Sequence, residues 1–81
     1  MLKSVSWHIY ATAQVGEAHA TLYLIPGGGM NLRAKSGEEL LLDGFYPTLE
    51  EALLEAAFSG LPQPLYDAFL DSVARRGRAE P

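Results

Sequence analysis

The chain has 81 residues, 48% hydrophobic and 20% charged, with no cysteine and a net charge of −4. That length holds one small domain, the composition is globular, and the missing cysteine removes disulfides and thiolate metal sites. The acid excess argues against nucleic acid, whose binding needs clustered cations, and no apolar run approaches the roughly 20 residues of a membrane span.

The N-terminal stretch is read as a strand and not as a secretory leader, because Ser6, His8, Tyr10 and Thr12 interrupt it. The expectation is therefore a soluble, cytoplasmic protein. Over about residues 4–15, Val5, Trp7, Ile9, Ala11, Ala13 and Val15 alternate with Ser4, Ser6, His8, Tyr10, Thr12 and Gln14. That period of two predicts a half-buried strand. A second strand over about 18–25 follows a Gly16-Glu17 turn, which suits a two-residue type II′ hairpin. The predicted register pairs Val15 with Ala18, Ala13 with Ala20, Ala11 with Leu22 and Ile9 with Leu24. The opposite face then pairs Gln14 with His19, Thr12 with Thr21, Tyr10 with Tyr23 and His8 with Ile25.

Pro26 and the triplet Gly27-Gly28-Gly29 end the second strand. Strands over about 30–34 and 38–45 are predicted to form a second hairpin around a three-residue loop, Lys35-Ser36-Gly37. That register opposes Leu32 to Leu40, Met30 to Leu42 and Arg33 to Glu39, and turns Leu41 to the other face. At Thr48-Leu49-Glu50-Glu51 the spacing becomes helical, with a capping box in which Thr48 receives the Glu51 amide. Helices are predicted over about 48–59 and 64–76, the second opened by Pro64 and closed by Arg75 and Arg76, which suit a helix C-terminus. The fold class is α+β: a four-stranded antiparallel β-meander followed by two α-helices packed on one sheet face. Residues 1–76 form a single small domain, and 77–81 form a flexible tail.

No catalytic constellation emerges. His8 and His19 sit about 20 Å apart along the hairpin, too far to share a metal, and Glu38 and Glu39 point to opposite faces of a strand. No serine lies in a nucleophile elbow. The basic run Arg75, Arg76, Arg78 is too small for a nucleic-acid surface on an acidic protein. The chain is read as a non-enzyme without cofactor or metal. Two candidate sites remain. Tyr10, Tyr23, His8 and Ile25 would share the second sheet face, with more apolar area than a solvated face needs, and so mark an interaction face. Gly27, Gly28 and Gly29 with Arg33 would form a loop for a small molecule or anion, although no following Lys-Ser/Thr makes it a nucleotide loop.

The stretch from Asp43 to Ala56, with Thr48-Leu49-Glu50-Glu51-Ala52-Leu53 at its centre, resembles the strand-to-helix step of HicB-type antitoxins. It covers about 14 of the 81 residues. The resemblance implies a toxin-binding or regulatory role. The glycine triplet and the further hairpin depart from that family's pattern. The residues themselves favour a protein-interaction module that forms a homo-oligomer (dimer or higher) or binds another protein, through the tyrosine face or an exposed strand edge.

Overall fold

The structure, a computed structural model, describes residues 7–79. Strands β1 (His8–Val15), β2 (Ala18–Leu24), β3 (Met30–Ser36) and β4 (Glu39–Tyr46) form one antiparallel sheet in the order β1-β2-β3-β4. Helices α1 (Leu49–Phe58) and α2 (Gln63–Ala79) follow. The α+β meander expected from the sequence is the fold observed. Residues 4–6 of the predicted first strand and 80–81 of the predicted tail lie outside the described residues. Ile25 falls past the end of β2, β3 is longer than predicted, and α2 continues through Gly77 to Ala79, beyond the expected helix end.

Near its turn the first hairpin pairs as its alternation dictates, Val15 opposite Ala18, Gln14 opposite His19, Ala13 opposite Ala20, Thr12 opposite Thr21 and Ala11 opposite Leu22. Gly16 takes a φ of 61° while no described non-glycine residue has a positive φ, so the turn places its demand on the residue that tolerates it. Beyond Ala11 the register shifts, with Ile9 opposite Tyr23 and His8 opposite Leu24. Tyr10 is the extra residue of a β-bulge. One extra residue exchanges the faces of everything before it, so the predicted pairs Ile9 with Leu24, Tyr10 with Tyr23 and His8 with Ile25 do not form. The cause is tertiary: the Tyr10 ring packs against the core and lies under the Arg76 guanidinium, 5.2 Å from the ring centre.

The second hairpin also corrects its predicted register. Ser36 pairs with Glu39, which leaves a two-residue Gly37-Glu38 connection in place of the three-residue loop. Lys35 then faces Leu40, Leu41 is passed over, and Ala34 faces Leu42, Arg33 faces Asp43, Leu32 faces Gly44 and Met30 faces Tyr46. The predicted pairs Leu32 with Leu40, Met30 with Leu42 and Arg33 with Glu39 are therefore absent. Leu41 packs against the core and does not point to the other face. The turn repeats the Gly-Glu chemistry of the first, with Gly37 at φ 61°. The Gly37 amide donates to the Glu17 carbonyl at 3.0 Å, which ties the two hairpin tips together at one end of the sheet.

Both helices contribute to one hydrophobic cluster on one side of the sheet. Ala11, Ala13, Ala20, Leu22, Met30, Leu32 and Ala34 meet Ala52 and Ala56 of α1 and Leu65, Phe69 and Val73 of α2. The alanines let helix backbone approach sheet backbone closely, at the expense of buried apolar volume, so the few large side chains carry most of the burial. α1 lies over β3 and β4, and α2 lies along β1. Thr48 caps α1, its hydroxyl accepting from the Glu51 amide at 3.2 Å, as the capping box requires. Ser72 of α2 accepts from the Thr12 amide at 3.3 Å, a tie across to the outer strand β1.

Gly44 is the one strand glycine whose side-chain position is already taken. A Cβ there would meet the Tyr46 phenol, with the ring Cζ only 2.8 Å away. Gly44→Ala should therefore cost about 1–3 kcal/mol by overpacking. In a Tyr46→Leu background the same change should cost far less, and a double-mutant cycle in urea measures the coupling. Equal costs in both backgrounds would show that the ring does not occupy that space.

Candidate functional site

Strand alternation places one set of side chains away from both helices. Across the sheet, Ile9, Tyr23, Asn31 and Phe45 form one row of that open face, and Thr12, Thr21, Arg33 and Asp43 form the next. Trp7, just ahead of β1, joins the first row edge-on. Its ring centre lies 5.7 Å from that of Tyr23 and 5.8 Å from that of Phe45, with interplanar angles of 61° and 87°. Such edge-to-face contacts bring the positive rim of one ring against the negative face of another. Ile9 is 58% exposed, Leu40 54% and Phe45 65%.

Between Tyr23 and Phe45, Asn31 is fully buried. Its Nδ2 donates to Asp43 Oδ1 at 3.0 Å and to the Gly44 carbonyl at 2.9 Å, while its own Oδ1 has no hydrogen-bond partner. Arg33 pairs with the other Asp43 oxygen at 3.4 Å. The Asn31 amide holds the Asp43 carboxyl below its ordinary range, partial burial opposes this, and the Arg33 charge adds to the lowering. In the same row, the hydroxyls of Thr12 and Thr21 meet at 3.1 Å. The third row of this face holds Gln14, His19, Lys35 and Leu40, so the face pairs its central charges and presents its aromatic surface at one end and Leu40 beside Lys35 at the other.

The four residues predicted to share an interaction face are not brought together. Tyr23 lies on the open face, Tyr10 is turned to the helix side by the bulge, His8 is exposed opposite Leu24, and Ile25 belongs to the loop after β2. Trp7, Ile9, Asn31 and Phe45 were missed there. The available signal was Asn31, a lone amide between Met30 and Leu32 in an otherwise apolar strand start.

Gly27, Gly28 and Gly29 take φ values of 95°, 127° and 87°, a conformation open to glycine alone. The loop closes on itself: the Ile25 amide donates to the Gly29 carbonyl at 3.1 Å, and the Gly28 amide donates to the Ile25 carbonyl at 3.0 Å. Arg33 stands three residues into β3 and its guanidinium is engaged with Asp43, so the structure does not join it to the glycines. Among the described residues there is no enclosed pocket, no group of three metal-ligating side chains, and no helix long and apolar enough to cross a membrane. Compared with known proteins, the chain matches no family model, no curated protein and no solved structure.

Proposed function

We propose that this protein is a non-catalytic interaction module that pairs with a second copy of itself through the open sheet face. The observation that carries this reading is the one-sided covering of the sheet among the described residues: both helices pack on one face, and the other presents Trp7, Ile9, Tyr23, Leu40 and Phe45. Large apolar side chains gathered on an uncovered face mark contact surfaces. A second copy suits this face electrostatically. Arg33 and Asp43 neutralise each other within it, while Glu50, Glu51 and Glu55 lie on α1 and Glu17 and Glu38 at the hairpin tips. Two chains of net charge −4 can therefore stack these faces without bringing their main acidic clusters together.

Four strands about 4.8 Å apart and some seven residues long project roughly 440 Å² of face. Two such faces bury on the order of 900 Å², at the low end for a specific complex. The dimer is accordingly weak and exchanging, not obligate. Without cysteine to oxidise, such a module suits a reducing compartment such as the cytoplasm.

Sedimentation equilibrium from micromolar to millimolar protein tests the proposal. A monomer–dimer equilibrium is expected, and Ile9→Glu with Phe45→Glu should shift it to monomer while the circular dichroism spectrum is kept, since both side chains are more than half exposed. A strict monomer at millimolar concentration, or a dimer indifferent to both substitutions, overturns it.

A further inference from the structure

We infer that the free edge of β4 takes up an extended, cationic segment of another protein as a fifth strand. The two edges of the sheet differ. β1 has α2 along it and hands its Thr12 amide to the Ser72 hydroxyl. Among the described residues β4 pairs with β3 alone, and none of its eight residues is buried. A strand edge of this kind carries a row of unpaired main-chain donors and acceptors, the template on which β-augmentation builds.

Charge selects the occupant. Glu39 lies on β4 and Glu38 immediately precedes it, both exposed, and β4 itself carries no basic residue, while Asp43 is already paired with Arg33. Glu55 of α1 is close enough to Tyr46 for its charge to help raise the phenol above its ordinary range, after the larger effect of burial. A second copy supplies no cation for Glu38 and Glu39, because its own β4 carries none, and like charges brought together across strands are destabilising. A strand alternating Lys or Arg with apolar residues reverses that sign. Its apolar side chains would extend the surface begun by Leu40 and Phe45, both exposed. The edge is defined by main-chain groups and the open face by side chains, and the two share apolar side chains only at Leu40 and Phe45, so this inference stands whether or not the faces pair.

The probe is a capped octapeptide alternating lysine and valine, with its glutamate–valine counterpart as control, read by amide hydrogen exchange on the full chain. The lysine peptide should slow exchange of β4 amides by about tenfold or more and leave those of β1 unchanged. The glutamate peptide should do neither. Glu38→Lys with Glu39→Lys, both at exposed positions, should abolish the protection without altering the fold. Absence of protection by the lysine peptide overturns the inference, as does equal protection by both peptides. So does β4 protection that rises with protein concentration in the absence of peptide, which would show two copies joined at this edge.

Discussion

Phe69→Ala is expected to cost about 3–5 kcal/mol, the range for emptying a fully buried phenylalanine site. Phe69 heads the fully buried side chains by volume, and it reaches into a cluster otherwise dominated by alanine. Alanines leave little side chain able to swing into the vacated volume, which argues for the upper half of that range. A domain of 81 residues has a total stability on the order of 4–12 kcal/mol, so the variant loses a large share of it or unfolds. Urea denaturation at 25 °C measures the loss. Phe69→Leu, which keeps most of the volume, should recover the greater part. The residue also holds α2 against the sheet, so the alanine variant should aggregate as the β1 edge comes free. A variant that does not aggregate, with a midpoint close to wild type, would show that α2 is secured elsewhere.

Asn31→Asp is the second large effect, and it carries a distinctive pH dependence. The Asn31 amide donates to both the Asp43 carboxylate and the Gly44 carbonyl. An aspartate there replaces the donor with a charged acceptor, buried, against a second carboxylate. Breaking a buried polar arrangement in this way costs about 3–5 kcal/mol near neutral pH. In the wild type, Asp43 is held below its ordinary pKa, chiefly by the Asn31 amide. Its contribution is present above the unfolded value and is lost as pH falls through the lowered folded one. In the variant, burial and the neighbouring carboxylate push the new group upward. The destabilisation is then full above that raised value and relieved as pH falls toward the unfolded carboxyl range of about 4. Between pH 7 and pH 4.5 or so the variant should gain stability on acidification while the wild type stays flat or loses some. Urea midpoints across that range, for both proteins, provide the comparison. Parallel pH profiles would show that position 31 does not face Asp43 in solution.

The parts of the fold legible in the sequence were those fixed by local chemistry. Gly16-Glu17 set the first turn, alternation from Ala11 to Val15 set the adjoining pairs, and Thr48 with Glu51 set the start of α1. The two bulges were not legible: alternation runs unbroken through Tyr10, and the three consecutive leucines at 40–42 offer no alternation to read. Tyr10 becomes the extra residue in β1 on account of packing against α2 and Arg76, which lie far along the chain. Leu41 is passed over in β4 while its side chain joins the core. The second turn was open to a better reading, since Gly37-Glu38 repeats the dipeptide of the first. Placing the glycine at the end of a three-residue loop moved every cross-strand partner of β3. The candidate site inherited both errors: Tyr23 was placed on the open face, but Tyr10 was assigned to it and Trp7, Ile9 and Phe45 were not. Side-chain faces depend on register, and register here depends on contacts that span the chain.

The bond between the Thr12 amide and Ser72 also sets a schedule for the protein's synthesis. Hairpins close in microseconds, so β1 and β2 can pair almost as soon as both are free of the ribosome. The helix that lies along β1 is made last among the described elements, some 60 residues later, or about 3–12 s at ordinary translation rates. For that interval the nascent sheet has two bare edges where the finished fold, among the described residues, has one. The growing chain is therefore most exposed to mispairing with its neighbours on a polysome, and slowing translation between β4 and α2 should lower the soluble yield.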